Sequence, residues 1–298
     1  MAQPPERPVA RVGRAPLVMG RERSGPPERR SLAPRSANIT VMIRAAFAAA
    51  KALKRDFGEV EHLQVSEKGP ADFVTRADKR AEQTLREALM QARPDFGFLG
   101  EEGTDIKGDG RSRWIVDPLN GTNNFIHGVP HFAISIGLER EGEMVAGVVY
   151  QPISDELFWA EKGNGAFVDT PHARSRRLRV SGRKDPARAL IATGIPHMGK
   201  GDHPAYLRVL ERAMARCAGV RRWGAAALDL AFVVAGRYDS YFEYGLQPWD
   251  VAAGILLVRE AGGYVSDVAG AAHTLASDSI VASSAALHAT ALDILNGR

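Results

Sequence analysis

Apolar and polar positions divide the chain into a patternless start and a periodic remainder. Residues 1–36 show neither helical nor strand periodicity. From Asn38, the expected N-cap, an alanine-rich stretch repeats apolar residues at helical spacing to about residue 55. A loop or hairpin containing Lys68 is expected at 67–71. Asp78 opens a second helix to about residue 92, which Pro94 helps to end. Segments 96–100 and 114–117 read as short strands. Segments 132–139 and 144–150 read as a hairpin, and 157–160 and 166–168 prolong the antiparallel run. The rhythm then changes: strands at 190–193, 219–222, 239–243 and 280–282 alternate with helices at 206–217, 225–235, 249–261 and 285–295. Helices and hairpins followed by α/β alternation predict two sheets layered with helices. The expected organisation is a basic tail (1–36), an α+β half (37–182) and an α/β half (183–298) that closes over it.

Charge changes the picture of the tail. The chain carries +4, but the eight Arg and three Glu of residues 1–36 account for +5, which leaves the remainder at −1. A slightly acidic body argues against a broad surface that tracks nucleic-acid phosphates. The tail also holds seven of the 17 prolines, so it is expected to be disordered. Its arginine pair is not followed by an apolar stretch, which gives a secretory signal no support. No apolar run reaches the ~20 residues that span a bilayer. The single cysteine, Cys217, excludes an internal disulfide and fits a reducing cytoplasm; it reads as a neutral thiol, with no nearby His to activate it.

Three acidic positions stand where a strand ends or a helix begins. The first is Phe98-Leu99-Gly100-Glu101-Glu102-Gly103. Taken alone, adjacent carboxylates after a strand are usually solvated loop charges. The second runs Trp114-Ile115-Val116-Asp117-Pro118-Leu119-Asn120-Gly121-Thr122-Asn123-Asn124-Phe125, where Pro and Asn-Gly also make an ordinary turn. The third is Gln247-Pro248-Trp249-Asp250-Val251-Ala252-Ala253-Gly254, in which Asp250 would serve as a favourable helix-start charge.

Taken together and in this order, the three resemble the signature segments of the inositol monophosphatase family: Gly-Glu-Glu, Asp-Pro-x-Asp-Gly-Thr-x-Asn-Phe and Trp-Asp-x-Ala-Ala-Gly. The resemblance runs from about residue 38 to 295 and includes Lys68, the segment from Asp72 to Asp78, the segment from Gly224 to Leu230, and Tyr241-Phe242-Glu243. It implies an αβαβα layered sandwich, usually a homodimer, that hydrolyses small phosphate monoesters with two or three Mg²⁺ ions. By that resemblance Glu101, Asp117 and the carbonyl of Leu119 hold a first ion, and Asp117, position 120 and Asp250 hold a second. Glu101 and Thr122 orient the attacking water. Backbone amides around Gly121 and Thr122, beside Asp250, hold the phosphate. Glu243, with Ala226 nearby, contacts the alcohol. Lys68 supports a mobile loop and Asp78 supports the Thr122 hydroxyl. The chemistry agrees: Mg²⁺ takes hard oxygen ligands, and a metal pair makes hydroxide near neutral pH while neutralising the leaving oxygen.

This chain departs from the pattern at one ligand, with Asn120 where the family motif has Asp. An Asn carbonyl can still meet Mg²⁺ but brings no charge, so a weakened second site and a slower enzyme are expected. Natural divergence, an introduced change, or an Asn-Gly pair that deamidates to Asp would each account for it. The compact spacing of the first two motifs favours an inositol or similar polyol monophosphate over nucleotide 3′-phosphates, fructose 1,6-bisphosphate or histidinol phosphate. A different class of function is also open. Some bacterial members of this family act with the transcription machinery in antitermination, so association with RNA polymerase is a second expectation. Trp223 is expected either to narrow the pocket or to pack in a core or dimer contact. His127 and His131 are expected to structure a turn, and His197, His203 and His273 receive no role.

Overall fold

A computed structural model describes residues 34–59, 65–69 and 72–298, with side chains described for 34–59 and from Thr75 onward. Most of the expected tail, and the Lys68 side chain, lie outside the described residues.

The first helix, α1 (Ala37–Phe57), starts two residues earlier than its sequence suggests. Ser36 is the cap: its Oγ accepts from Ile39 N at 3.2 Å. Asn38 instead accepts from Arg93 Nε at 3.0 Å, which ties α1 to the end of the next helix. The hairpin β1 (Val65–Gly69) and β2 (Asp72–Thr75) leads into α2 (Arg76–Ala92). Thr75 and Asp78 close a reciprocal capping box there.

Eight strands form the large sheet: β3 (Gly97–Gly100), β4 (Asp105–Ile106), β5 (Ser112–Asn120), β6 (Ala133–Arg140), β7 (Glu143–Gln151), β8 (Glu156–Glu161), β9 (Gly165–Thr170) and β10 (Ala173–Arg177). Their order is β10-β9-β8-β7-β6-β5-β3-β4, antiparallel except for β3 with β5. A short helix, α3 (Thr122–Ile126), follows β5. The second sheet takes β11 (Leu190–Thr193), β12 (Gly219–Arg221), β13 (Ser240–Tyr244), β14 (Gly263–Ser266) and β15 (Ser279–Ser284) in the order β12-β11-β13-β15-β14. Between these strands run α4 (His203–Arg216), α5 (Ala226–Val234) and α6 (Pro248–Glu260), and α7 (Ala285–Asn296) ends the chain.

Three cores define five layers. Ile39, Met42 and Leu53 of α1 and Leu85 and Leu89 of α2 pack against Trp114, Val116, Ile134 and Val148 on one face of the large sheet. On its other face Ile115, Val149 and Phe158 meet α5 and α6, which also touch Tyr241, Ile280 and Ala282 of the small sheet. Beyond that sheet, Tyr206, Val209 and Ala213 of α4 and Ala291 and Ile294 of α7 cover Ile191, Phe242 and Val281. The order is αβαβα, as expected. The apolar stretch 251–258 is explained by this position: α6 lies between two sheets and is buried all round from Val251 to Val258. Among the described residues no helix is long and apolar enough to cross a membrane.

Candidate active site

The site begins with an irregularity in β5. Asp117 pairs with Ser135 and Asn120 with Ala133, so three steps on β5 oppose two on β6. In a regular strand, residues three apart face opposite sides of the sheet. The bulge cancels that alternation and brings both side chains into one cleft. Pro118 falls inside the bulge, where no ladder N–H is required. Gly121 then turns the chain at φ 96, a left-handed value that a β-carbon disfavours.

Around this bend lie Glu101 at the end of β3, Asp250 in the first turn of α6, and Glu243 of β13. They line one cleft of about 210 Å³ with Asp117, Leu119, Asn120, Gly121, Thr122 and Ala226. The carboxylates meet in pairs. Glu101 is in hydrogen-bonding contact with Asp117, and Asp117 and Asp250 face each other across Asn120. The Asn120 Nδ2 donates to Asp117 Oδ2 at 2.8 Å and to Asp250 Oδ1 at 3.1 Å. Its Oδ1 accepts from Ala227 N at 2.9 Å. Among the described residues no group of three or more His, Cys, Asp or Glu is gathered to hold a metal ion; at the central position stands an amide.

Burial governs the electrostatics. It raises Asp117 well above its ordinary value, and the charge of Glu101 adds to the effect. Burial, then repulsion from Asp117, pushes Asp250 up to about 8. Burial lifts Glu243 to about 6, against the stabilising Tyr241 hydroxyl and Arg222. Carboxyls raised this far require either protons or a cation. Glu101, Asp117 and the Leu119 carbonyl are hard oxygen donors and fit a divalent ion such as Mg²⁺. The Asp117–Asp250 end does not fit equally well, because a side-chain amide nitrogen, a donor rather than a ligand, stands between the two carboxylates.

Asp78 is wholly buried and serves two elements. Its Oδ2 accepts from Thr75 N at 2.8 Å, and its Oδ1 accepts from the Thr122 hydroxyl at 3.0 Å. The same hydroxyl lies 3.0 Å from the Leu119 carbonyl. The start of α2 thereby fixes a hydroxyl in the cleft. On the opposite wall, the Tyr241 hydroxyl donates to Glu243 Oε2 at 2.5 Å. Gly194 lets Glu243 approach: a β-carbon there would come within 1.8 Å of its Oε1.

Several groups in and behind the site are given no role by the sequence, although Asp229 falls within the 224–230 segment of the resemblance. Buried Glu82 of α2 accepts from Glu102 N at 2.7 Å and from Thr104 Oγ1 at 2.6 Å, which fixes the loop that presents Glu101. Asp229, fully buried in α5, has neither carboxyl oxygen hydrogen-bonded and is raised well above the usual range by burial and by Glu243. His197, Lys200 and Arg222 reach the cleft wall. His197, to which the sequence assigns no role, enters through the loop after β11, a placement that spacing does not reveal. Trp223 is exposed; its ring lies 5.1 Å from that of His131, and its carbonyl accepts from Asn124 Nδ2 at 2.7 Å. His131 is held neutral by burial, which lowers it to about 4, in keeping with a structural turn. Burial likewise raises Cys217, so its thiol is neutral.

A five-layered sandwich that converges buried carboxylates beside a bent backbone segment has the architecture of a metal-assisted phosphate esterase. The sequence pattern described as the Inositol monophosphatase family matches residues 36–296. The inositol-1-monophosphatase of Rhizobium meliloti (strain 1021) is 57% identical over 248 residues, covering 83% of this chain and 91% of that protein. The Nus factor SuhB of Pseudomonas aeruginosa is 45% identical over 249 residues, covering 82% and 90%. In three dimensions the chain is similar to the extragenic suppressor protein SuhB of Bartonella henselae. That match has a TM-score of 0.84 and 50% identity, and covers 87% of this chain and 98% of that one. The chain belongs to the inositol monophosphatase family, whose members are Mg²⁺-dependent phosphoric monoester hydrolases.

Proposed function

We propose that this chain hydrolyses inositol monophosphate, or a closely similar polyol monophosphate, to the free polyol and inorganic phosphate. The observation that carries this reading is that Glu101, Asp117 and Asp250 share one cleft with Gly121 and Thr122, opposite Glu243. Uncatalysed hydrolysis of phosphate monoesters is among the slowest of biological reactions, so a competent site must neutralise charge heavily. In this reading Glu101, Asp117 and the Leu119 carbonyl hold one Mg²⁺, and Asp117 and Asp250 border a second position. Bound Mg²⁺ supplies a lowered pKa for water and charge neutralisation for phosphate oxygens.

The remaining work belongs to the chain. Glu101 and the Thr122 hydroxyl orient the attacking water, with Asp78 fixing that hydroxyl. Backbone amides at Gly121 and Thr122 hold phosphate oxygens beside Asp250. Glu243, with Ala226 nearby, accepts hydrogen bonds from the alcohol. The test is free-phosphate release from inositol 1-phosphate, fructose 1,6-bisphosphate, a nucleotide 3′-phosphate and histidinol phosphate, with Mg²⁺ titrated for each. Turnover greatest on the inositol ester supports the reading; no turnover on any ester at saturating Mg²⁺ overturns it.

A cytoplasmic homodimer is part of the same proposal. Val129 and Trp223, both exposed beside the Asn124 to His131 turn, supply an apolar contact for a second copy, and light scattering on the purified chain tests it. The resemblance to proteins named Nus factor SuhB favours a second reading, in which the chain also associates with RNA polymerase in antitermination. Retention of polymerase subunits on the immobilised chain, with and without phosphatase activity, separates the two roles.

A further inference from the structure

Asn120 is 5% exposed, and both hydrogens and the oxygen of its amide are hydrogen-bonded. One hydrogen of its NH₂ group points to Asp117 Oδ2 and the other to Asp250 Oδ1, while the carbonyl accepts from Ala227 N. Donor chemistry fixes this orientation. Reversing the amide would set its oxygen against two carboxylate oxygens and its NH₂ against a backbone N–H, exchanging three attractions for three repulsions. The carbonyl also does work at α5. Ala225 caps that helix without a side-chain hydrogen bond, so the Ala227 N–H depends on Asn120. One side chain thus joins the β5 bulge, the start of α5 and the first turn of α6.

We infer that the Asn120 amide is a built-in substitute for a cation between Asp117 and Asp250, so that this chain holds one divalent ion tightly, at the Glu101–Asp117 end, while its own NH₂ group closes the other position. The inference deepens the metal-phosphatase reading and rests on it. Its physical content is an exchange. An Asp at position 120 would keep an acceptor for Ala227 N but would face Asp117 and Asp250 with a third carboxylate. Without metal that triad repels itself; with metal it becomes a closed oxygen site. Asn reverses both properties: the metal-free fold is held together, and entry of an ion requires the amide to break its bonds to both carboxyl oxygens.

The test uses the full chain stripped with EDTA, as wild type and as Asn120→Asp. Equilibrium dialysis against Mn²⁺ counts ions, and calorimetry gives thermal midpoints with EDTA and with Mn²⁺. The expected result is one tight Mn²⁺ per wild-type chain, and a second ion in Asn120→Asp bound at least ten-fold tighter than any second ion in wild type. The variant should melt below wild type in EDTA and recover with Mn²⁺. Two ions of similar affinity in wild type would overturn the inference and leave the phosphatase reading intact, as would a metal-free variant at least as stable as wild type. Absence of Mn²⁺ binding by either protein would overturn the phosphatase reading itself, and the inference with it. If Asn120→Asp does not fold, the wild-type count alone decides.

Discussion

Glu82 never touches the cleft, yet it should control it. Its carboxylate accepts from Glu102 N and Thr104 Oγ1, two anchors of the loop that begins with Glu101 and that backbone bonds from Gly100 N to Thr104 O and from Glu101 N to Val116 O also hold. Substituting Glu82→Ala removes both bonds and leaves the Glu102 N–H without its acceptor. Hydrogen bonds to a charged group contribute roughly 1.5–3 kcal/mol each. The mutation also relieves the cost of burying a carboxylate, so the net loss is about 2–3 kcal/mol. For a chain of this size that lowers the melting midpoint by roughly 3–5 °C. The effect on turnover should be larger. A loop released by about 1 Å at a positioned group costs on the order of 100-fold. Glu82→Gln supplies the control: its carbonyl can keep the Glu102 bond and its NH₂ can donate to the Thr104 hydroxyl, so it should remain within several-fold of wild type. The assay is kcat and the Mg²⁺ concentration for half-maximal rate, read beside calorimetry. A stability loss in Glu82→Ala with both kinetic values unchanged would make Glu82 a purely structural residue and refute the reasoning.

Other expectations follow from the same geometry. With metal removed, Asp117 and Asp250 keep protons in the folded state that the unfolded chain releases above its ordinary carboxyl range, so between about pH 4 and 8 the native protein binds more protons and stability falls as pH rises. Melting midpoints in EDTA should therefore drop from about pH 5.5 to about pH 8.5, and Mg²⁺ should remove most of that drop; a flat EDTA profile contradicts the assignment of cause. Thr122→Val keeps shape but loses the hydroxyl that bonds Asp78 and lies against the Leu119 carbonyl, and should lower kcat by about 10²–10⁴-fold. Thr122→Ser should retain most of the rate, and equal rates for the two variants would exclude a role for the hydroxyl. Asn120 is followed by Gly, which favours deamidation, but its amide is held by three hydrogen bonds. Peptide mapping of aged folded protein should find Asn120 intact, and accumulation of Asp or isoaspartate there would show that the clamp opens.

The elements and site residues that could be read from the sequence share a physical trait: the local pattern and the tertiary demand agree. The stretch 251–258 is apolar on all sides because α6 lies between two sheets, and its helix was expected within a residue or so of where it stands. The strands left out were β4, β10 and β14. Both residues of β4 are exposed, β10 reads Ala-Arg-Ser-Arg-Arg, and β14 is a four-residue edge strand that itself begins with a glycine, Gly263. Each is at a sheet edge, where one side needs no apolar partner and alternation gives no signal. The site divides in the same way. Asp117 and Asp250 announced themselves through the turns and helix starts around them. The strand carrying Asp117 was expected to stop there, because Pro118 and Asn-Gly look like a turn; the bulge instead carries β5 through to Asn120 and sets the two side chains into one cleft. Glu82 and Asp229 lie inside helices, where a carboxylate ordinarily faces water, and only the packed layers reveal that these two do not. The groups that face the cleft are therefore more legible in the motifs than buried Glu82 and Asp229, whereas buried Asp78 is legible because it also stands at the start of α2. Those buried groups are the ones whose energetics depend most on the fold, since a carboxylate without water is acceptable only where donors or a cation replace it.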